Sequence, residues 1–176
     1  MKKIAIVTAL VLLAIIIFLA TRRPASQIKE TNNQQKSETA TKLANLPAGW
    51  TTVTNTDTTI KLEKTVTSGL KPEVVFKQTS SKDATVPAKY VDNLKAGARA
   101  TLSGLIYSTD KRNSNDTGYS ALLTGYYLNK GKKIYLDQRL YLKDETVYTF
   151  SGSSDSNLTG EVSQVLNSLV QEKIGL

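Results

Sequence analysis

The chain of 176 residues contains no histidine and no cysteine, and only one methionine, one tryptophan and four prolines. Without cysteine there is no disulfide framework, no thiol nucleophile, no iron–sulfur or thiolate-zinc site, and no thiol to carry a lipid. Without histidine there is no Ser-His-Asp triad, no imidazole base and no imidazole-bound metal. Neither a cofactor nor a metal site is expected. Carboxylates are present, 15 Asp and Glu in all, but no pair of them sits in a recognisable active-site motif. A non-enzymatic protein is the expectation.

What is present begins with charge. Lys and Arg number 23, giving a formal net charge of +8, which by itself points to an acidic partner. The charge is unevenly spread: residues 1–45 hold seven basic and two acidic side chains, residues 46–176 sixteen and thirteen. Most of the excess therefore lies near the N-terminus. A polyanion-binding module is kept as a second alternative, and nucleic acid is not an expected partner.

Ile4 to Ala20 is an uncharged run in which only Thr8 is polar, flanked by Lys2 and Lys3 before it and Arg22 and Arg23 after it. At about 1.5 Å per residue a helix of this run reaches roughly 25 Å, at the short end for crossing a bilayer. Small-x-small cleavage chemistry is poor, because Phe18 stands two before Ala20 and Arg23 two before Ala25. An uncleaved signal-anchor over 1–23 is expected. A type IV pilin is excluded, since the run has neither glycine nor glutamate. Residues 24–45 are rich in Gln, Asn, Thr, Ser and Lys and too polar to offset chain entropy by burial, so they read as a flexible linker. The expected protein is single-pass, held to the membrane through Ile4–Ala20, with an extracytoplasmic domain over 46–176.

Within that domain, alternation bounded by turn residues predicts strands over Thr51–Asn55, Thr58–Thr65 and Glu73–Thr79. On the second, Ile60 and Leu62 share one face, Lys61 and Glu63 the other. The period then changes. Pro87 can open a helix, and Tyr90, Val91, Leu94, Ala98 and Leu102 recur at helical spacing until Gly104. Lys89, Asp92, Lys95 and Arg99 form its solvated side. Four further strands follow, Leu105–Thr109, Tyr119–Leu128, Lys133–Lys143 and Thr146–Ser151, with a polar loop over Asp110–Gly118. A closing helix from about Gly160 to Lys173 carries Val162, Val165, Leu166, Leu169 and Val170 on one side, with Thr159 as its expected N-cap. The expected fold is α+β: an antiparallel sheet of about six to seven strands flanked by two helices, in the order βββαββββα.

Leu46-Pro47-Ala48-Gly49-Trp50, the central amphipathic helix, the tyrosine-bearing strands, Val147-Tyr148-Thr149-Phe150-Ser151 and the closing helix together resemble the PsbP-like fold family. That group includes the extrinsic P protein of photosystem II, a Ran-binding import factor and many bacterial exported proteins. The resemblance covers about Leu46 to Leu176 and implies a binding or assembly role without chemistry. It transfers no site residue.

Three patterns bear on a site. Ser68-Gly69-Leu70-Lys71 matches S-x-x-K, in which lysine activates serine, but it lies in a Gly/Pro turn. A small hydrolase using carboxylates or Ser68/Lys71 is the first alternative. Asn113 to Gly118 loosely resembles a calcium loop, but Thr124 stands where the twelfth-position acid is required. The tyrosines remain. On Lys133–Lys143, Tyr135, Asp137, Arg139 and Tyr141 alternate with Ile134, Leu136, Leu140 and Leu142, so that strand has one polar-aromatic face. On its neighbour, Tyr119 and Tyr127 share one face, and Leu122, Tyr126 and Leu128 the other. Tyrosine and arginine dominate binding hot spots. Tyr135, Arg139, Tyr141, Tyr119 and Tyr127 are the candidate partner-binding residues, a cross-strand ladder being the structural alternative. The expected partner is a protein or envelope component.

Overall fold

The computed structural model describes residues 46–116 and 118–175. The expected anchor and linker lie outside them, and no helix among the described residues is long and apolar enough to cross a membrane.

The elements run β1 (Trp50–Asn55), β2 (Thr59–Lys64), β3 (Glu73–Ser80), α1 (Pro87–Thr101), β4 (Ile106–Asn115), β5 (Gly118–Asn129), β6 (Lys132–Lys143), β7 (Thr146–Ser154) and α2 (Thr159–Ile174). The strands make one antiparallel sheet in the order β1-β2-β3-β7-β6-β5-β4. Element order and α+β class follow the alternation and helical spacing of the sequence.

Because successive side chains of a strand point to opposite faces, the two helices can be assigned to faces. Phe150 of β7 packs with Phe76 of β3 and with Val162, Val165, Leu166, Leu169 and Val170 of α2. Its odd-spaced neighbour Val147 packs instead with Val91 of α1 and with Ala121, Leu123, Leu140 and Leu142 of β5 and β6. The helices therefore lie on opposite faces, α2 over β3 and β7, α1 over β5 and β6. Each covers one half of its face, diagonally across the sheet.

Their attachments differ in kind. α2 contributes five fully buried aliphatic side chains, and α1 only Val91. At roughly 1.5–3 kcal/mol for each buried aliphatic side chain, α2 is much the more firmly seated. Gly152 makes this contact possible, since a Cβ there would stand 2.3 Å from Val162 Cγ1. α2 also carries Glu161 in its first turn, Lys173 in its last, and Gly175 with φ +76 closing its end, each suited to the helix dipole or the left-handed cap. Trp50 is buried in the same core, and its indole N–H donates to Glu161 Oε1 at 2.6 Å.

Three local expectations are corrected. Asp110 to Asn115 is not loop: β4 continues to Asn115, paired residue by residue with β5. The cause is that β4 is an edge strand, where polar side chains are tolerated outside the sheet. The supposedly solvated side of α1 is engaged, with Asp92 paired to Arg112 at 2.7 Å and Lys95 paired to Asp110. Thr159 is not the N-cap. A 3-10 turn over Ser156–Leu158 precedes the helix, and the Thr159 hydroxyl donates back to the Ser156 carbonyl.

Candidate functional site

Pairing in register brings Tyr135, Asp137, Arg139 and Tyr141 of β6 opposite Tyr126, Thr124, Leu122 and Ser120 of β5. Lys111 and Asn113 of β4 continue the same rows. All of these lie on the α2 face, but beyond the strands that α2 covers. The result is an open half-sheet walled on one side by α2.

Tyr135, Arg139 and Tyr141 are thus brought to one face, with different surroundings. Arg139 holds Asp137 through both carboxylate oxygens at 3.2 and 3.1 Å. It also donates to Ser163 Oγ at 2.8 Å and to Asn167 Oδ1, both on α2. With four of its five N–H donors engaged within this chain, it clamps α2 to β6. Tyr141 packs edge-on against Phe150, ring centroids 5.9 Å apart. Burial pushes its phenol above the ordinary value, against a smaller opposing pull from Arg139. Tyr135 lies nearer the surface, tilted against Tyr126 at 6.4 Å.

Tyr119 and Tyr127 are placed elsewhere. Both point to the α1 face, Tyr127 buried with Leu105, Ile134 and Leu136, and Tyr119 packed against the Val91 cluster. They share strand β5 with the open face but have the opposite parity, so they belong to the interior. The aromatic neighbour of Tyr135 is Tyr126.

Between β4 and α2 the open face sinks into a depression of ≈ 430 Å³ lined by Lys111, Asn113, Leu122, Arg139, Tyr141 and Asn167. On β5 and β6 the apolar Leu122 and Tyr141 stand opposite the polar Arg139 and Ser120, so its floor is mixed. Toward the β5–β6 turn the face becomes more apolar: Ile106 is 51% and Leu128 41% exposed, and Lys133 Nζ stands 4.5 Å above the Tyr126 ring, a cation–π distance.

Two charged clusters flank the sheet. On the α1 side of β4, Asp110 is held well below the usual carboxylate range, chiefly by its hydrogen bond from Arg112 and also by Lys95. Nearby, burial pushes the Tyr107 phenol up to about 12. On the α1 face of β2 and β3, Lys61 pairs with Glu63 at 2.9 Å and Glu73 at 3.2 Å. Burial raises the Glu73 carboxyl above its ordinary value, and Lys61 offsets only part of that. For Lys61, burial works toward neutrality but the two glutamates outweigh it and raise its pKa. Neither cluster is legible in sequence, because each joins residues of different elements across a pairing that periodicity does not specify.

Ser68 and Lys71 are exposed in the β2–β3 loop, where Gly69 takes φ +90. Asn113, Ser114 and Asn115 are extended in β4 and do not wrap a cation. Among the described residues, no three acidic side chains converge as metal ligands would.

Compared by sequence, the chain matches no protein-family model and no curated protein. Its fold is shared with solved structures. One is PA94, a protein of unknown function from Pseudomonas aeruginosa (TM-score 0.54, 12% identity, 68% of this chain and 83% of that one). Another is LpqN of Mycobacterium tuberculosis, described as involved in cell envelope biogenesis (TM-score 0.51, 17% identity, 70% and 76%). At these identities the likeness concerns fold alone.

Proposed function

We propose that this chain is a membrane-tethered, extracytoplasmic binding module of PsbP-like kind that holds a protein or envelope component on its open half-sheet without acting on it chemically. The observation that carries the reading is the depression between β4 and α2, where Leu122 and Tyr141 lie among Lys111, Ser120, Arg139 and Asn167. Apolar and aromatic surface set among polar groups suits a docking site. The element order and the Leu46–Trp50 segment favour the PsbP-like assignment. The uncharged run Ile4–Ala20 favours the tether, and the envelope role ascribed to LpqN is consistent with that placement.

The test is photo-cross-linking of the full chain in cells. A cross-linker in place of Leu122 should capture a discrete partner, and one in place of Ser151, on the opposite face, should not. Equal capture at both positions, or at neither, overturns the reading. Protease accessibility in intact cells tests the topology separately.

A further inference from the structure

The two ends of the sheet differ in charge. At one end lie the turn entering β1, the β2–β3 loop, the last turn of α1, the β5–β6 hairpin tip and the segment between β7 and α2. This end carries Lys71, Arg99, Lys130, Lys132 and Lys133, all exposed, against Asp155, the mutually paired Lys64 and Glu161, and Glu63 and Glu73, which share Lys61. None of the five exposed cations forms an ion pair among the described residues. At the other end, the strand connections and the first turn of α1 carry Asp57, Asp83, Asp116, Asp144 and Glu145, with Lys82, Lys89 and Lys143. The domain is a charge dipole along its strands.

The basic end also holds two of the four exposed large hydrophobic residues among those described; Val86, 56% exposed, lies at the other end and Val53 along β1. Leu128 and Ile106, 41% and 51% exposed, lie beside the β5–β6 tip together with the Tyr126 ring under Lys133. The tip itself spends backbone energy on charge. Lys130 takes φ +51 and Gly131 φ +79, a pair of left-handed positions where Asn or Gly is the easier first residue. In the β6–β7 turn the corresponding left-handed residue is Asp144, φ +54.

From this pattern we infer that the β5–β6 hairpin end docks on anionic lipid headgroups at a bilayer surface. Its lysines would meet phosphates while Leu128, Ile106 and Tyr126 enter the headgroup–acyl boundary. Aliphatic and tyrosine side chains ringed by flexible lysines suit an interfacial surface. The acidic far end disfavours the reverse orientation. β1 starts at the same end, so a segment preceding Leu46 joins the domain there. The inference rests on the tethered reading for that proximity only.

The absence of cysteine allows single-site labelling of the full chain. Ser103→Cys lies exposed beside the hairpin and Thr58→Cys exposed at the far end. Each is labelled with a fluorophore and mixed with vesicles carrying a headgroup quencher, either wholly phosphatidylcholine or with about a third phosphatidylglycerol. Flotation with the zwitterionic vesicles reports anchorage, so its failure sinks the tether and not the docking. Docking predicts that the Ser103 probe is quenched roughly tenfold more than the Thr58 probe in anionic vesicles only. The contrast should vanish in high salt and in K130E/K132E/K133E. Equal quenching at both sites, indifference to anionic lipid, or indifference to both salt and the charge reversal overturns the inference.

Discussion

Among the described residues no helix lies over two of the half-sheets, and these are finished in opposite ways. The α1 face of β1–β3 is closed by charge: Lys61, only 7% exposed, is held between Glu63 and Glu73. The α2 face of β4–β6 is closed in this way only beside α2, where Arg139 holds Asp137. It is left with Leu122, Tyr126, Tyr135 and the exposed Ile106 and Leu128. A sheet face whose polar groups satisfy one another presents nothing to a partner, whereas one left apolar and aromatic still has surface to bury. The contrast teaches that helix coverage alone does not say which face is free to bind.

Substitutions can break that contrast. The largest effect belongs to the helix-covered side: Phe150→Ala should cost about 3–5 kcal/mol, read by urea denaturation. Lys61→Ala should cost about 1–3 kcal/mol at neutral pH, because it leaves half-buried Glu73 without its cation. The sign with pH follows from Glu73, whose folded pKa is already raised by burial. Its neutral form is favoured in the fold, so stability is greatest below the unfolded carboxyl value and falls as pH rises through the folded one. The Lys61→Ala variant should therefore recover melting temperature relative to wild type between pH 7 and 4.5; a constant gap would mean the triad does not close that face.

Arg139→Ala tests whether α2 is clamped to β6. It should cost about 1–3 kcal/mol and speed hydrogen exchange in α2; an unchanged melting temperature would return Arg139 to the list of free contact residues. Asp110→Asn, at an exposed edge, should cost no more than about 1 kcal/mol. Asp110 is depressed in the fold, so its contribution is present above the ordinary carboxyl value and fades as pH falls below it. Wild type and variant should converge in acid titrations below about pH 4. Smallest in stability is Tyr135→Ala, within about 1 kcal/mol, yet it should weaken partner capture roughly tenfold. Loss of fold with intact capture would make the tyrosines a ladder only.

Much of this architecture was legible in sequence, for identifiable reasons. The period-two rows of β6 and the helical spacing of Val162 to Val170 are dictated by which side chains must be buried. What alternation cannot say is which helix takes which face. Residue type puts Tyr119 and Tyr127 with Tyr135, but their parity on β5 sends them under α1. The true neighbour, Tyr126, has the opposite parity to both, one position before Tyr127 and seven after Tyr119. The extension of β4 to Asn115 was hidden because an edge strand needs no apolar row there, although the length of β5 called for a partner of similar length. The depression could not be read, since it joins β4, β6 and α2.

Among the described strands, every neighbouring pair but β3–β7 is also consecutive in the chain. That exception has a consequence for the order of assembly. β1–β3 and β4–β7 can each zip through short turns, at little entropic cost. Joining them needs β3 to find β7 across the intervening helix and three strands, with Phe76 and Phe150 meeting at 5.0 Å. Contacts of that range set folding speed. α2, which follows β7 in the chain, lies on β3 and β7 together, so a segment made after both halves fastens the seam between them.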